Sequence, residues 1–499
     1  MKKGGNAMRE LQLSFITNAE TRRWMRILSI IEREHHFTIV ALSERLMISQ
    51  RTLVKDIQAI RSYFGETIEL LSLYNGFRFD ERDRVKYQEK KEALLENEVL
   101  FEIVGTIFWG QPVALAELAH HYSYAESTLR RFLARIEPIL ASYRLSLTFT
   151  PVNFQGKEAD IRKFFFDFYY NSEQTPHTIR PPERLHKLVL DELSNQLGEY
   201  ELGTGTTVSA FYYHLYITMI RVQHNHFVTV PKWLKAIDYQ EKDFQLLYSL
   251  QDRINQDFEI YLPKEEFAWL HLSIIAKRTI DRSDQEITFV QRFNCWTGLE
   301  QVVSAYLSDP FFEQWDTDIL GHFMTSFFVS RLVNEALSPL LNKELKEVHD
   351  MVEKKHSQIH KINTHFLSTH SKALPISSSI FEDVAASFTL YMDMVFRYYQ
   401  PVKQILFLLE GDYLVVQSIR IEAREQLGDH HHLLFVKLQE FLPEQLNNEK
   451  IDLIVTNYRP YLSDDSLETD YVLINSQPTT KDWTMVKHQL NPLTDQLSF

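Results

Sequence analysis

The chain has 499 residues, which at about 150 residues per domain implies three to four domains. Its 44% hydrophobic and 13% aromatic content, with only 14 Gly and 16 Pro, excludes wholesale disorder and low-complexity chains. A single cysteine, Cys295, excludes a disulfide framework and a Cys-based zinc cluster and suggests a reducing compartment, while a net charge of −14 argues, taken whole, against a nucleic-acid partner.

The distribution of that charge along the chain points the other way. Residues 1–92 hold 17 Lys+Arg against 13 Asp+Glu, residues 93–160 hold 5 against 8, and the remainder holds 31 against 46. A basic head ahead of an acidic body fits a binding module on a regulatory one. The start, Met1-Lys2-Lys3-Gly4-Gly5, leads into polar sequence without an apolar run, so no signal peptide is expected. The longest uncharged run, Leu202 to Ile220, contains Gly203, Gly205, Ser209 and His214 and reads as a loop and a buried helix, not a membrane span. The expectation is a soluble, cytoplasmic protein.

In chain order, Trp24, Ile27, Leu28 and Ile31 form the stripe of an amphipathic helix, and Ile39, Leu42 and Leu46 form a short second one. Ser49 offers an N-cap to a third helix, whose apolar sector is Leu53, Ile57, Ile60 and Phe64. Arg51, Lys55, Gln58 and Ser62 fall opposite, with Gln50 and Thr52 near the start and Arg61 beside them. Such a face can reach base edges and phosphates in a major groove. A hairpin follows, Ile68 to Phe79, where Asn75-Gly76 suits a two-residue type I′ turn. Three helices and a hairpin make a winged helix-turn-helix, with Tyr74, Asn75 and Arg78 at its wing.

Shifting by 76 positions superposes a second copy: Leu42 on Leu118, Leu53 on Leu129, Lys55 on Arg131 and Ile60 on Ile136. Pro112 can start the middle helix of this copy. Ser123 to Glu126 has capping-box spacing, although the repeat would put the cap at Ala125. Ser127, Arg130, Arg131 and Arg135 lie on or flank the third helix, and Tyr143 to Thr150 alternates like a wing. This copy either touches DNA or serves packing or dimerisation.

From Asp160 to about Gln400 the pattern is helical, starting with an aromatic block, Phe164 to Tyr170, that must be core. The segment around His214 is echoed 108 residues later around His322, and His271 lies in a third apolar helix. Two related helical domains, 159–285 and 286–400, account for this. The i, i+4 pair His356 and His360 lacks the glutamate of a zincin and reads as a solvated helix. No phosphate loop and no Gly-x-Ser-x-Gly motif occurs, so neither catalysis nor a cofactor is expected.

Two helix-turn-helix units followed by two helical domains with histidines in H-L-x-x-x-I-x-R-like helices resemble the Mga/AtxA-like transcription regulators of Gram-positive bacteria. That resemblance implies phosphotransferase-system regulation domains, in which phosphocarrier proteins phosphorylate histidines; carried over, these are His214, His271 and His322. The fourth position departs from the pattern, since Ala386 to Tyr391 has no histidine. Histidine suits the role because its pKa near ~6.5 leaves a neutral nucleophilic nitrogen at cellular pH. Arg221 and Arg331 follow His214 and His322 by about two turns or slightly more and could receive the phosphoryl charge.

After Pro401 the period changes to strand–helix alternation: Gln404–Leu409, a helix Leu414–Leu427 with Gly428 at its C-cap, strands Leu433–Leu438, Asp452–Tyr458 and Tyr471–Asn475, and a last helix Trp483–Leu490. A small, mostly parallel sheet results. It resembles the sugar-transport EIIB fold, but Glu410-Gly411-Asp412 stands where such enzymes carry a phosphorylated cysteine. Docking or dimerisation is the expected role.

The fold class is therefore multidomain and mainly α: winged helix-turn-helix units (1–84 and 85–158), two helical-bundle regulation domains (159–285 and 286–400) and a C-terminal α/β parallel-sheet domain (401–499). The expected function is a dimeric DNA-binding transcriptional regulator, not an enzyme, tuned by histidine phosphorylation. Its partners would be double-stranded DNA, a second copy and phosphotransferase-system phosphocarrier proteins, with no membrane. The alternative is an RNA-binding antiterminator with paired regulation domains, which the helical reading of residues 20–64 disfavours; a phosphocarrier enzyme fails on the missing cysteine.

Overall fold

The computed structural model describes residues 9–196, 200–428, 430–436, 451–459 and 469–490. Backbone contacts gather the chain into two units, residues 1–277 with 333–341, and residues 278–332 with 342–499.

The first unit opens with α1 (Glu10–Phe15) and α2 (Ala19–Glu34). Asn18 caps α2 by accepting from the backbone N–H groups of Glu20 and Thr21, and the stripe Trp24, Ile27, Leu28 and Ile31 is buried as expected. β1 (His36–Phe37) leads into α3 (Ile39–Leu46), which ends at Met47 in the left-handed conformation (φ +52°). α4 (Gln50–Phe64) then starts under Ser49, whose hydroxyl accepts from the Thr52 N–H at 3.1 Å. β2 (Ile68–Leu73) and β3 (Gly76–Glu81) form the wing, and β1 pairs with the other edge of β3.

The hairpin turns one residue earlier than its Asn-Gly pair suggests. Leu73 pairs with Gly76, so Tyr74 and Asn75 make the turn, and Asn75 does not take the positive φ that type I′ requires. Gly76 does, at +140°, and a Cβ there would lie 2.5 Å from the Phe37 carbonyl oxygen. The close approach of β1, with Phe37 and Phe77 stacked at 5.6 Å, therefore fixes where the glycine sits.

The 76-residue repeat holds through the second and third helices and the last strand of the wing. After α5 (Arg84–Ala93) come α6 (Val99–Phe108), α7 (Leu115–His121), α8 (Glu126–Ser142), β4 (Ser146–Phe149) and β5 (Val152–Gln155). The starts of α7, α8 and β5 lie 76 residues beyond those of α3, α4 and β3. Ser123 (φ +57°) repeats the left-handed Met47. Two expectations change. Pro112 lies before α7, which begins at Leu115, and the capping box does not form because Ala125 occupies the N-cap, with no side-chain bond.

α9 (Glu158–Tyr169) is the hub of this unit. Its Phe164, Phe165 and Phe168 are fully buried, each worth about 1.5–3 kcal/mol. Phe15 of α1 meets Phe168 at 4.9 Å, and Phe154 of β5 meets Phe164 at 5.0 Å. Six helices follow: α10 (Glu183–Gln196), α11 (Val208–Gln223), α12 (Lys232–Asp238), α13 (Lys242–Tyr248), α14 (Leu250–Phe258) and α15 (Lys264–Ile275). The long apolar run divides as expected into a loop and α11, and no described helix is long and apolar enough to cross a membrane.

Two buried charge clusters tie the unit together. Arg162, without exposed surface, donates to Glu158 at 2.9 Å, to Glu266 of α15 at 2.6 Å and to the Thr218 hydroxyl of α11 at 3.2 Å. Glu158 also accepts two bonds of 2.8 Å from Arg221 of α11. In the second cluster, buried Lys91 of α5 bridges Glu32 of α2 (2.8 Å) and Glu173 beyond α9 (2.6 Å).

The second unit takes its helices from α16 (Ser283–Phe293), α17 (Leu299–Leu307), most of α18 (Thr317–Leu337), α19 (Lys346–Lys355), α20 (Ser357–Thr369) and α21 (Phe381–Tyr398). Arg278 holds buried Glu286 through two bonds of 2.8 and 2.7 Å, and the Ser326 hydroxyl donates to the same carboxylate. The C-terminal part alternates β6 (Gln404–Leu408), α22 (Tyr413–Leu427), β7 (His432–Val436), β8 (Leu453–Thr456) and β9 (Tyr471–Leu473), then a helix Thr480–Leu490. The sheet is parallel throughout, in the order β7-β6-β8-β9. Ile405, Phe407, Leu453 and Val455 pack with residues of α22 and the last helix, while Leu406, Leu408 and Ile454 form the opposite face. The end of the expected strand to Leu438 lies outside the described residues.

Removing one partner of a buried ion pair strands the other charge. Glu266→Ala should destabilise the first unit by about 3–5 kcal/mol, read as a lowered urea midpoint; an unchanged midpoint would show that Arg162 does not depend on this partner.

Candidate nucleic-acid interface

α4 carries the basic face that the sequence proposes. Gln50, Arg51, Lys55, Gln58 and Arg61 are exposed and Thr52 is half-buried. The one carboxylate on the helix, Asp56, points the other way: it is buried and accepts two bonds, 2.8 and 2.9 Å, from Arg23 of α2. That bond is the main reason the Arg23 pKa is raised. The outer face of α4 thus presents cations with no carboxylate among them. Arg61, besides being exposed, donates to the Leu70 carbonyl and braces the helix on the wing. On the wing, Asn75 is exposed and Arg78 is half-buried beside Asp80 at 2.5 Å.

In the second head Ser127, Arg130 and Arg131 are exposed along α8, with Arg130 lying over the Phe149 ring of β4 at 4.7 Å. Arg135 departs from the expected outward face. Its guanidinium turns inward onto the carbonyls of Ile16 (2.7 Å), Ser14 (3.3 Å) and Thr17 (3.4 Å), and burial lowers its pKa. It therefore secures the end of α1, and its guanidinium is engaged there.

The three histidines occupy different settings. His214 is 7% exposed, lies flat on Phe166 at 3.9 Å, and has no hydrogen-bond partner for Nδ1. Desolvation, aided by Lys277, Lys163 and Arg162, pushes its pKa well below the usual value, so the ring is neutral. His271 is buried with Nδ1 2.6 Å from Asp238 Oδ1, leaving Nε2 without a partner. His322 is half-buried on α18. Modification of either buried ring requires the helices around it to open. Arg221, expected near His214 as a phosphoryl partner, is committed to Glu158; Arg331 packs on Phe327 at 4.7 Å and reaches Glu344 at 3.4 Å.

The expected solvated histidine helix is corrected as well. α19 ends at Lys355 and α20 begins at Ser357, so His356 sits in the break, 8% exposed, with Nδ1 3.6 Å from Asp393. His360 reaches the Thr389 hydroxyl at 3.2 Å, at the segment where the regulation-domain pattern lacks a histidine. Among the described residues no group of side chains could hold a metal ion. At the carboxyl end of β6, Asn457 pairs with both backbone groups of Glu410 (2.9 and 2.7 Å), and Asp412 caps α22 through the Leu414 N–H at 2.9 Å.

Two winged helix-turn-helix heads ahead of a run of helices define a DNA-binding transcriptional regulator, and proteins of similar sequence are regulators by name. Residues 83–169, α5 to α9, match the Mga helix-turn-helix domain. The chain is similar to the capsule synthesis positive regulator AcpB of Bacillus anthracis, 20% identical over 486 residues, 95% of this chain and 98% of that one. It is also similar to a protein of Streptococcus pneumoniae serotype 4 named "Putative trans-acting regulator", 23% identical over 274 residues, 52% of this chain and 54% of that one. Domain and relatives bear out the resemblance to the Mga/AtxA-like transcription regulators.

Because Arg135 bonds inward, Arg135→Ala should cost about 1.5–3 kcal/mol of stability while leaving the salt dependence of duplex binding as it was. A flattened salt dependence in a binding titration would return Arg135 to the DNA face.

Proposed function

We propose that this regulator binds duplex DNA with α4 of its first head in the major groove, acts as a homodimer, and is tuned by histidine phosphorylation from phosphotransferase-system phosphocarriers. The observation that carries the DNA reading is the orientation of α4. Arg51 and Lys55 face solvent and Asp56 is folded under against Arg23, so a helix from an acidic protein offers only positive charge. Gln50, Thr52 and Gln58 supply groups for base edges, and Arg61, Asn75 and Arg78 lie alongside. Ser127, Arg130 and Arg131 give the second head a smaller set of the same kind.

In this reading the chain works as two heads (1–84, 85–158), two regulation domains (159–285, 286–400) and an EIIB-like end (401–499). His214, His271 and His322 are the modification sites, each modification adding about −1.5 to −2 charges. The Glu410-Gly411-Asp412 turn has no thiol to carry phosphate, which leaves docking or self-association to the last domain.

Each phosphate contact contributes about 0.9 to the slope of log affinity against log salt. Arg51→Ala with Lys55→Ala should therefore flatten that slope by about 2 and abolish binding at moderate salt, with circular dichroism unchanged; retained affinity would refute the assignment. Deleting residues 401–499 should weaken self-association, and an unaltered elution volume on a sizing column would remove the dimerisation role.

A further inference from the structure

His214 lies between two aromatic rings, and each of those rings carries a cation. Phe166 stacks on the imidazole at 3.9 Å, and the Lys277 ammonium lies 5.8 Å from the centre of the same phenyl ring. Trp269 crosses the imidazole plane at 74° with the ring centres 6.1 Å apart, and the Arg162 guanidinium lies 5.2 Å from the indole centre. Arg162 also donates to Thr218, one helical turn beyond His214 on α11. The charges that bear on the ring, from Lys277, Lys163 and Arg162, are all positive. Among the described residues, neither His214 Nδ1 nor the Nε1–H of buried Trp269 has a hydrogen-bond partner.

A buried polar atom left unpaired is costly, and cations gathered on an uncharged ring leave their field unanswered. An oxyanion answers both, because its oxygens accept from N–H donors and attract cations. The three cations are held differently. Arg162 is bonded to Glu158 and Glu266, and Lys163 reaches Asp167 at 2.8 Å. Lys277, just beyond α15, is exposed, and its backbone carbonyl accepts from the Gly205 N–H at 2.7 Å. We propose that His214 is the floor of an oxyanion site and that Lys277, not Arg221, takes the phosphate oxygens there, with the Arg162 charge behind it. For a covalent phosphoryl group this rests on the phosphorylation reading above. The P–N bond of a donor phosphohistidine breaks, a P–N bond to His214 forms, and the proton that the His214 ring loses balances the one that the donor ring gains. Free phosphate is the other source of the same chemistry.

The test uses the full chain with two probes: a phosphocarrier bearing radiolabelled phosphohistidine, and inorganic phosphate at constant ionic strength, read by thermal melting. Label on His214, located by its loss in His214→Ala, should form about tenfold more slowly in Lys277→Gln, the scale of one charge-assisted hydrogen bond, and recover in Lys277→Arg. Lys163→Gln, which leaves the exposed cation in place, should label as the unaltered chain does. An unchanged melting curve in chloride verifies that Lys277→Gln keeps the fold. Equal labelling of Lys277→Gln and the unaltered chain, or equal slowing by Lys163→Gln, overturns the proposal. If the unaltered chain takes no label at His214, the phosphorylation reading falls by itself. The oxyanion site then stands if inorganic phosphate raises the melting temperature of the unaltered chain but not of Lys277→Gln, and falls if the two respond alike or neither responds.

Discussion

Arg162 has no exposed surface, and the two carboxylates that hold it come from opposite sides of α9's environment: Glu158 from its own first turn, Glu266 from α15. The aromatic residues of α9 build the core beneath the heads, while its charged residues engage α11 and α15. One helix therefore joins the winged segments to the later helices of the first unit. Burying such charges is expensive, so a cluster of this kind contributes specificity of arrangement more than net stability. Arg221, expected beside His214, is instead held in this cluster by two bonds to Glu158.

The acidic character of the whole chain and the basic outer face of α4 are reconciled by a local inversion. α4 has a carboxylate in the middle of its cationic run, at Asp56, next to Lys55 in sequence. The helical turn of 100° between neighbours sends the two to different faces, and Arg23 neutralises the acid where it lands. The second head lacks such a device and has a weaker set of cations, with Arg130 lying on Phe149 and Arg135 spent on α1.

Much of this is legible in the sequence because it rests on short-range periodicity. The stripes of α2 and α4, the apolar positions that recur after 76 residues, and the alternation of the C-terminal sheet are all patterns of sequence spacing. What the sequence hides depends on distant partners. Arg135 and Arg221 are polar residues on helices and read as available; their acceptors, at Ile16 and Glu158, are separated from them by 119 and 63 positions. The wing turn departs from its Asn-Gly signal because β1 is two residues long, too short to register as a strand, yet its carbonyl decides where glycine must stand. Ala125 shows the converse: the repeat locates a cap whose own chemistry gives no sign of it.

Lys91 has a practical consequence for dissecting this protein. Asp83-Arg84, just after the wing, looks like the natural place to sever the first head, yet α5 beyond it is part of that head's fabric. Tyr87 packs on Phe64 at 4.9 Å and donates to Glu32, the Tyr63 hydroxyl donates to the Lys90 carbonyl, and Lys91 neutralises Glu32. A fragment ending at residue 84 would bare Phe64 to water and leave Glu32 without its counter-ion. One that runs past Lys91 but stops short of Glu173 keeps the head intact and leaves that lysine half-satisfied. The smallest piece able to stand as a faithful proxy for the head therefore reaches beyond α9 to Glu173, because one buried lysine serves acids on both sides of that helix.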